Sequence, residues 1–259
     1  MDYSIESLSV ILNQFLTEEY VFVADPREIL SGSRKVFLRH DIDVDLEYAI
    51  QVAEMESRLG IRAHYYLMLD SPFYNLLEEL SFSHLKRLQM YSEFISLHMN
   101  VYRDSSQSLD QAHKQILRNV FVFEQLAGKR IQTISFHQPS KVAMRMELDS
   151  FSLYNVYLLN QSQKVTYFSD TNQSLDILAL QDVVRKGGNI HLLIHPVWWC
   201  SALNSKSSLW PSLVVKRLNY IQSLLQGSER TYDPDKAIRI GHSKVSSFDE
   251  PGNGAPFDI

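Results

Sequence analysis

Several things are scarce in this chain. It has one cysteine, Cys200, so no disulfide can form within it, which accords with a reducing compartment and with a lone buried thiol. Glycine is sparse, at 9 residues, and no Pro- or Gly-rich linker interrupts the middle of the sequence, which favours one domain over 1–259. Positive charge is not in surplus: 25 Lys and Arg stand against 30 Asp and Glu, for a net charge of -5. A sequence-independent grip on nucleic-acid phosphates therefore has no source. No apolar run approaches the roughly 20 residues needed to cross a bilayer. The richest stretch, Ile190 to Trp199, contains two histidines and a proline. The first residues carry acids where a signal peptide has its positive region, so they read as an amphipathic helix, and the expected location is cytoplasmic.

What is present is alternation. Short runs rich in Val, Ile, Phe, Tyr and Leu are followed by segments with helical spacing, the pattern of an α/β protein. Candidate strands run from Lys35 to His40, Ala63 to Leu69, Phe94 to His98, Gln132 to His137, Val156 to Leu159, Val165 to Ser169 and Asn189 to His195. Seven strands is a barrel-sized count. Between the first two, Asp45 to Leu59 places Leu46, Ala49, Ile50 and Ala53 on one face and stops at Gly60, as a βαβ crossover requires. A second helix, about Leu109 to Leu126, stops near Gly128. A third, Trp210 to Gln226, has Pro211 near its first position. Residues 1–34 form a helical extension, and the segment after Tyr232 reads as loop or tail.

The polar residues are placed with a pattern. Four of the nine histidines, His40, His98, His137 and His195, end an apolar strand run, Asp41 and Asp43 follow the first strand, and Asp170 ends another. In barrels and parallel sheets the C-terminal strand ends share one rim, so residues distant in sequence meet there. For one residue alone, capping is the simpler role, and Asp43 before its helix is an N-cap candidate. Capping explains aspartate and rarely histidine, so five such ends together indicate a site. Imidazole and carboxylate form the ligand set of a zinc-like divalent metal. Such an ion, with a carboxylate base and a histidine acid, hydrolyses an amide or ester.

RHDID, RLGIRAHYYLML, SPFYN, ISLH, SFHQPS, YFSD and LLIHP occur in this order between Lys35 and Trp199. In this order they resemble the polysaccharide deacetylases of carbohydrate esterase family four, particularly a branch associated with bacterial surface-polysaccharide (O-antigen or capsule) gene clusters. The resemblance implies a distorted seven-stranded (β/α) barrel. It implies Asp41 as base, Asp43 as a metal ligand and His195 as acid with Asp170 behind it; His40 with Asp41 is the alternative offset. His98 matches the first metal-binding histidine, and Tyr102 stands where the family has the second, so His137 or His40 is left to complete the set. The family's base-orienting Arg is absent from FHQPS, and Arg39 is its candidate replacement. Arg39, His40, Tyr74, Asn100, Trp198 and Trp199 are the expected substrate contacts. Phe73, Leu76, Leu77 and Leu80, by contrast, have the spacing of an ordinary apolar helix face.

The expectation is a zinc-type deacylase removing N-acetyl or N-formyl from a sugar, nucleotide-sugar or polysaccharide precursor. A degraded relative that binds a glycan or a protein partner is the second reading. A metal-dependent phosphoesterase is the third, and it would need more phosphate-binding cations than Arg39, Arg62 and Arg103 supply.

Overall fold

The computed structural model describes residues 2–101, 108–201 and 206–233. The N-terminal amphipathic stretch is α1 (Ile5–Thr17), capped by the Ser4 hydroxyl, which accepts from the Ser7 N–H. It buries Leu8, Ile11, Leu12 and Phe15. A two-residue strand, β1 (Val21–Phe22), and a 3-10 turn, Pro26–Leu30, lead into β2 (Lys35–Ile42). The β/α alternation then runs through α2 (Leu46–Arg58), β3 (His64–Met68), α3 (Glu79–Leu88), β4 (Ile95–Met99), α4 (Leu109–Ala127) and β5 (Thr133–Phe136). It continues with α5 (Lys141–Met144), β6 (Tyr154–Asn155), a 3-10 turn Val156–Gln161, β7 (Val165–Ser169), α6 (Ile177–Arg185) and β8 (Asn189–Ile194). Two helices, α7 (Pro196–Cys200) and α8 (Lys206–Ser228), follow.

Every strand pairing is parallel, in the order β6-β5-β4-β3-β2-β8-β7, with β1 alongside β2. The seven strands of this path curl into the distorted (β/α) barrel expected from the alternation. Residues of β3, β4, β5 and β8 are buried throughout, as are those of β2 after Lys35, which is why these strands read as continuous apolar runs. Between the two end strands, β6 and β7, the 3-10 turn Val156–Gln161 takes the place of strand pairing. Its Tyr157 hydroxyl donates to the Phe136 carbonyl at the end of β5 (2.9 Å), and its Asn160 side chain meets His191 Nδ1 of β8 at 2.8 Å.

That turn corrects one expectation, a strand at Val156 to Leu159. Only Tyr154–Asn155 pairs, because the Asn155 side chain accepts from the Tyr157 N–H (3.2 Å) and starts the turn. A second correction concerns α8, which begins at Lys206 and so carries Pro211 inside it, at the cost of one intrahelical hydrogen bond. The third is Phe73 to Leu80. An antiparallel bridge, Asp70 to Asn75, and the Ser71 N–H to Tyr74 carbonyl bond fold this segment into a turn, and α3 starts only at Glu79. Of its four apolar residues Leu76 is fully buried, whereas Leu77 is 70% exposed.

The chain divides into two compact units, residues 1–214 and 215–259. The first contains the whole sheet. In the second, the described residues are helical to Ser228, with the Arg217 guanidinium 5.5 Å from the Tyr220 ring centre. The expected tail, residues 233–259, lies outside the described residues apart from its first position. Among the described residues no helix is long and apolar enough to cross a membrane.

Candidate metal centre and acid–base site

The period of two along β2 sorts its polar residues. Arg39, Asp41 and, just past the strand, Asp43 point to the cleft at the C-terminal rim, while His40 points the other way, toward α2. The helix that follows is capped by Asp45, whose carboxylate accepts from the Glu47 N–H at 2.8 Å. Asp43 is thereby left to the cleft.

Three ligand-type atoms meet there. Asp43 Oδ1 lies 3.2 Å from His98 Nε2 and 3.2 Å from His137 Nδ1, and one such atom from each of the three residues falls within 4.8 Å of the others. His98 and His137 sit at the ends of neighbouring strands, β4 and β5, with their rings edge-on at 84°. Despite these short distances Asp43 Oδ1 is buried without a hydrogen bond of acceptable geometry. Ligands of a tetrahedral ion bound at about 2.0–2.1 Å lie about 3.3 Å apart, so the cluster has the size of a zinc-type coordination edge. Burial by itself would raise the Asp43 carboxyl; the facing His137 and His98 imidazoles outweigh it and hold the group well below the usual carboxylate range.

Beside this cluster lies an ion pair. Arg39 grips Asp41 through Nε (2.8 Å) and Nη2 (2.5 Å), and both side chains are almost completely buried. Arg39 Nη2 also donates to the Tyr157 hydroxyl at 2.8 Å. Burial pushes the Asp41 carboxyl up, but the Arg39 charge, with the His98 imidazole close by, brings it down to about 2. Across the cleft, His195 Nδ1 is 2.6 Å from Asp170 Oδ1. Asp170 is fully buried and also accepts from the His195 backbone N–H and from the Trp199 indole N–H at 2.7 Å. Burial lowers the His195 imidazole, and the Asp170 charge overrides this and lifts it to about 9. Its other ring nitrogen, Nε2, lies 3.9 Å from Asp43 Oδ2.

The cleft has a volume of about 700 Å³. Asp41, Asp43, His98, His137 and His195 line it, with Phe73, Trp198 and Trp210 among its aromatic residues. Trp210 meets Trp198 edge-on and Phe73 at a tilt, each with ring centres 6.1 Å apart.

The expected site residues thus divide. Asp41, Asp43, His98, His137, Asp170 and His195 converge, and Trp198 reaches the cleft. The other expected substrate contacts lie away from the open cleft. His40 is fully buried on the helix side, 2.8 Å from Glu56 and stacked on Tyr65, because strand alternation turns it away from Asp41. Arg39 is fully buried beneath Asp41, where it orients a carboxylate and is closed to ligand. Tyr74 is buried, its hydroxyl donating to the Ile42 carbonyl (2.6 Å) and accepting from the Met68 N–H. It braces the end of β2. Trp199 is 1% exposed and serves Asp170. Asn100 does not line the cleft; its carbonyl accepts from Gln115. Of the other named cations, Arg62 pairs with Glu93 at 3.0 Å, and Tyr102 and Arg103 lie outside the described residues.

No family model matches the chain, and neither does any curated protein. Solved structures do. The structures it resembles include carbohydrate esterases of family four (CE4) and CE4 family pseudoenzymes. A Streptococcus mutans CE4 esterase aligns at 14% identity over 80% of this chain and 90% of that one, with a TM-score of 0.45. The chitin deacetylase of the fungal pathogen Colletotrichum lindemuthianum aligns at 12% identity over 70% and 81%, with a TM-score of 0.43. A wild-type CE4 family pseudoenzyme from Bacillus anthracis aligns at 17% identity over 71% of this chain, with a TM-score of 0.43, and the match spans 60% of that protein's length.

Some cleft and supporting residues gave no signal in the sequence. Ser135, Tyr157 and Asn160 occupy a strand middle and a 3-10 turn, where nothing marks a polar residue as functional, and Trp210 belongs to α8, beyond the rim histidines in the sequence. The side of β2 on which His40 lies is legible in the sequence, since a period of two from Asp41 and Asp43 turns it to the opposite face.

Proposed function

We propose that this protein is a metal-dependent deacylase that hydrolyses an amide or ester on an acylated sugar. The observation that carries this reading is the convergence of Asp43 Oδ1, His98 Nε2 and His137 Nδ1 between a buried Arg–Asp pair and an Asp-backed histidine. The donor set and its 3.2 Å edges suit a zinc-type ion. When bound, such an ion supplies Lewis acidity for the acyl oxygen and brings the pKa of a water to about 7. Asp43, His98 and His137 would hold it.

The remaining work falls to side chains. Asp41, kept ionised and oriented by Arg39, accepts the proton of the attacking water on a lone pair that Arg39 leaves open. His195, protonated at neutral pH, delivers a proton from Nε2 to the departing amine or alcohol, and Asp170 stabilises the cation until then. Trp198 presents apolar surface suited to a sugar face. A sugar nucleotide or surface-polysaccharide precursor remains within this substrate class.

One observation favours a second reading, that of a ligand-binding protein without turnover: Arg39 donates to both Asp41 oxygens, which weakens that carboxylate as a base. The deciding experiment is elemental analysis of protein purified without added metal or chelator, alongside His98→Ala and Asp43→Asn. Near-stoichiometric metal that falls in both variants supports the hydrolase and justifies a screen of N-acetyl and N-formyl sugars. If the protein holds no metal and does not take up added zinc or cobalt, the hydrolase reading fails and the binding-protein reading takes its place.

A further inference from the structure

Ser135, in the middle of β5, is fully buried and lies between two residues of the site. Its hydroxyl oxygen is 2.9 Å from His98 Nδ1, and 3.4 and 3.3 Å from the two Asp41 oxygens. A serine hydroxyl has a single proton to give, so the direction of this chain is determined by its ends. An ionised carboxylate only accepts. Asp41 is held ionised by the Arg39 fork, so the Ser135 proton goes to Asp41, and Ser135 must then accept from His98 Nδ1–H. The imidazole proton is thereby placed on Nδ1. Nε2 is left with its lone pair, and the atom that it faces, Asp43 Oδ1, receives no hydrogen bond of acceptable geometry, so no Nε2–H is called for at that end.

We propose that Ser135 is a positioning residue that fixes His98 as its Nδ1–H tautomer, so that Nε2 is ready to bind a metal ion before the ion arrives. The inference rests on the metal-centre reading for its purpose and on hydrogen-bond direction for its content. It joins the base to the ligand set through one hydroxyl: Arg39 orients Asp41, Asp41 orients Ser135, and Ser135 orients His98. Hydrogen-bond partners of ligating histidines contribute about 10–100-fold to metal affinity, and that is the size of effect expected here.

The test uses full-length protein with ¹⁵N-labelled histidine, free of metal, in which long-range ¹H–¹⁵N spectra distinguish the two tautomers, with His98→Gln giving the assignment. Wild type is expected to show His98 protonated on Nδ1. In Ser135→Ala the Nε2–H form should gain population, and affinity for zinc or cobalt, measured by chelator competition, should fall 10–100-fold. Ser135→Thr, which keeps the hydroxyl, should restore both. An Nε2–H tautomer in wild type overturns the proposal, as does a Ser135→Ala protein whose tautomer is unchanged and whose affinity is within twofold. Should Ser135→Ala fail to fold, the wild-type tautomer decides. A protein that binds no metal yet shows the Nδ1–H form would sink the hydrolase reading while leaving the role of Ser135 standing.

Discussion

Replacing Arg39 with methionine would strand a carboxylate in the interior. Arg39 is fully buried and Asp41 is 3% exposed, with two charge-assisted hydrogen bonds between them. Breaking a buried pair from one side costs about 3–5 kcal/mol, because the remaining charge loses its compensation. The pH dependence follows from the Asp41 end of the pair. The Asp41 carboxyl at about 2, against 3.8 when unfolded, corresponds to about 2 kcal/mol of stabilisation, present above pH ~4 and lost as pH falls through about 2. Arg39→Met should therefore lose about 3 kcal/mol at pH 7 in urea unfolding. Adding Asp41→Asn should return most of that, since no buried charge then remains, and the gap between wild type and Arg39→Met should narrow as pH drops below about 4. The reasoning is refuted if Arg39→Met lies within about 1 kcal/mol of wild type, or if the double variant is no more stable than the single one.

Three further outcomes follow from the geometry. Asp170→Asn removes the largest of the charges that lift His195, leaving those of Asp43 and Asp41, so in metal-free protein the imidazole should titrate clearly below 9; an NMR titration still near 9 would contradict the assigned cause. His64, buried near the base of the sheet, is driven down to about 4 by burial, so the unfolded chain takes up its proton first. Stability should decline as pH falls from 6.5 toward 4, by up to about 3 kcal/mol from this group; His64→Phe should flatten part of that slope in unfolding measured at pH 7 and pH 5. Trp199→Phe deletes the indole donor to buried Asp170 and should cost about 1–3 kcal/mol by thermal or urea unfolding.

Much of this was legible because hydrophobic alternation and strand ends are local signals. The apolar runs ending in His98, His137 and His195 placed three rim residues directly, and Asp41, Asp43 and Asp170 joined them. The less legible parts depend on tertiary geometry. Trp199 and Asp170 are 29 residues apart and meet only once the β8 end and α7 are folded. Ser135 looks like any strand serine until the ends of β2, β4 and β5 come together. Tyr157 fell in a segment that reads as strand and folds as a 3-10 turn, and Phe73 in one that reads as helix and forms a turn lining the cleft.

β2 is anchored by ionisable groups on both of its faces. Asp41 and, just past the strand, Asp43 line the cleft with Arg39 buried beneath Asp41, and His40 meets Glu56 on the other side. A shift of one residue would exchange the faces, sending Arg39 and Asp41 into the helix layer and bringing His40 to the rim, with every pair broken at once. Along this strand, then, changes of side chain and changes of length are very different events. Many single substitutions leave one face intact, whereas inserting or deleting one codon between Val36 and Ile42 abolishes both sets of contacts together, so variation in related chains should enter this stretch by substitution only.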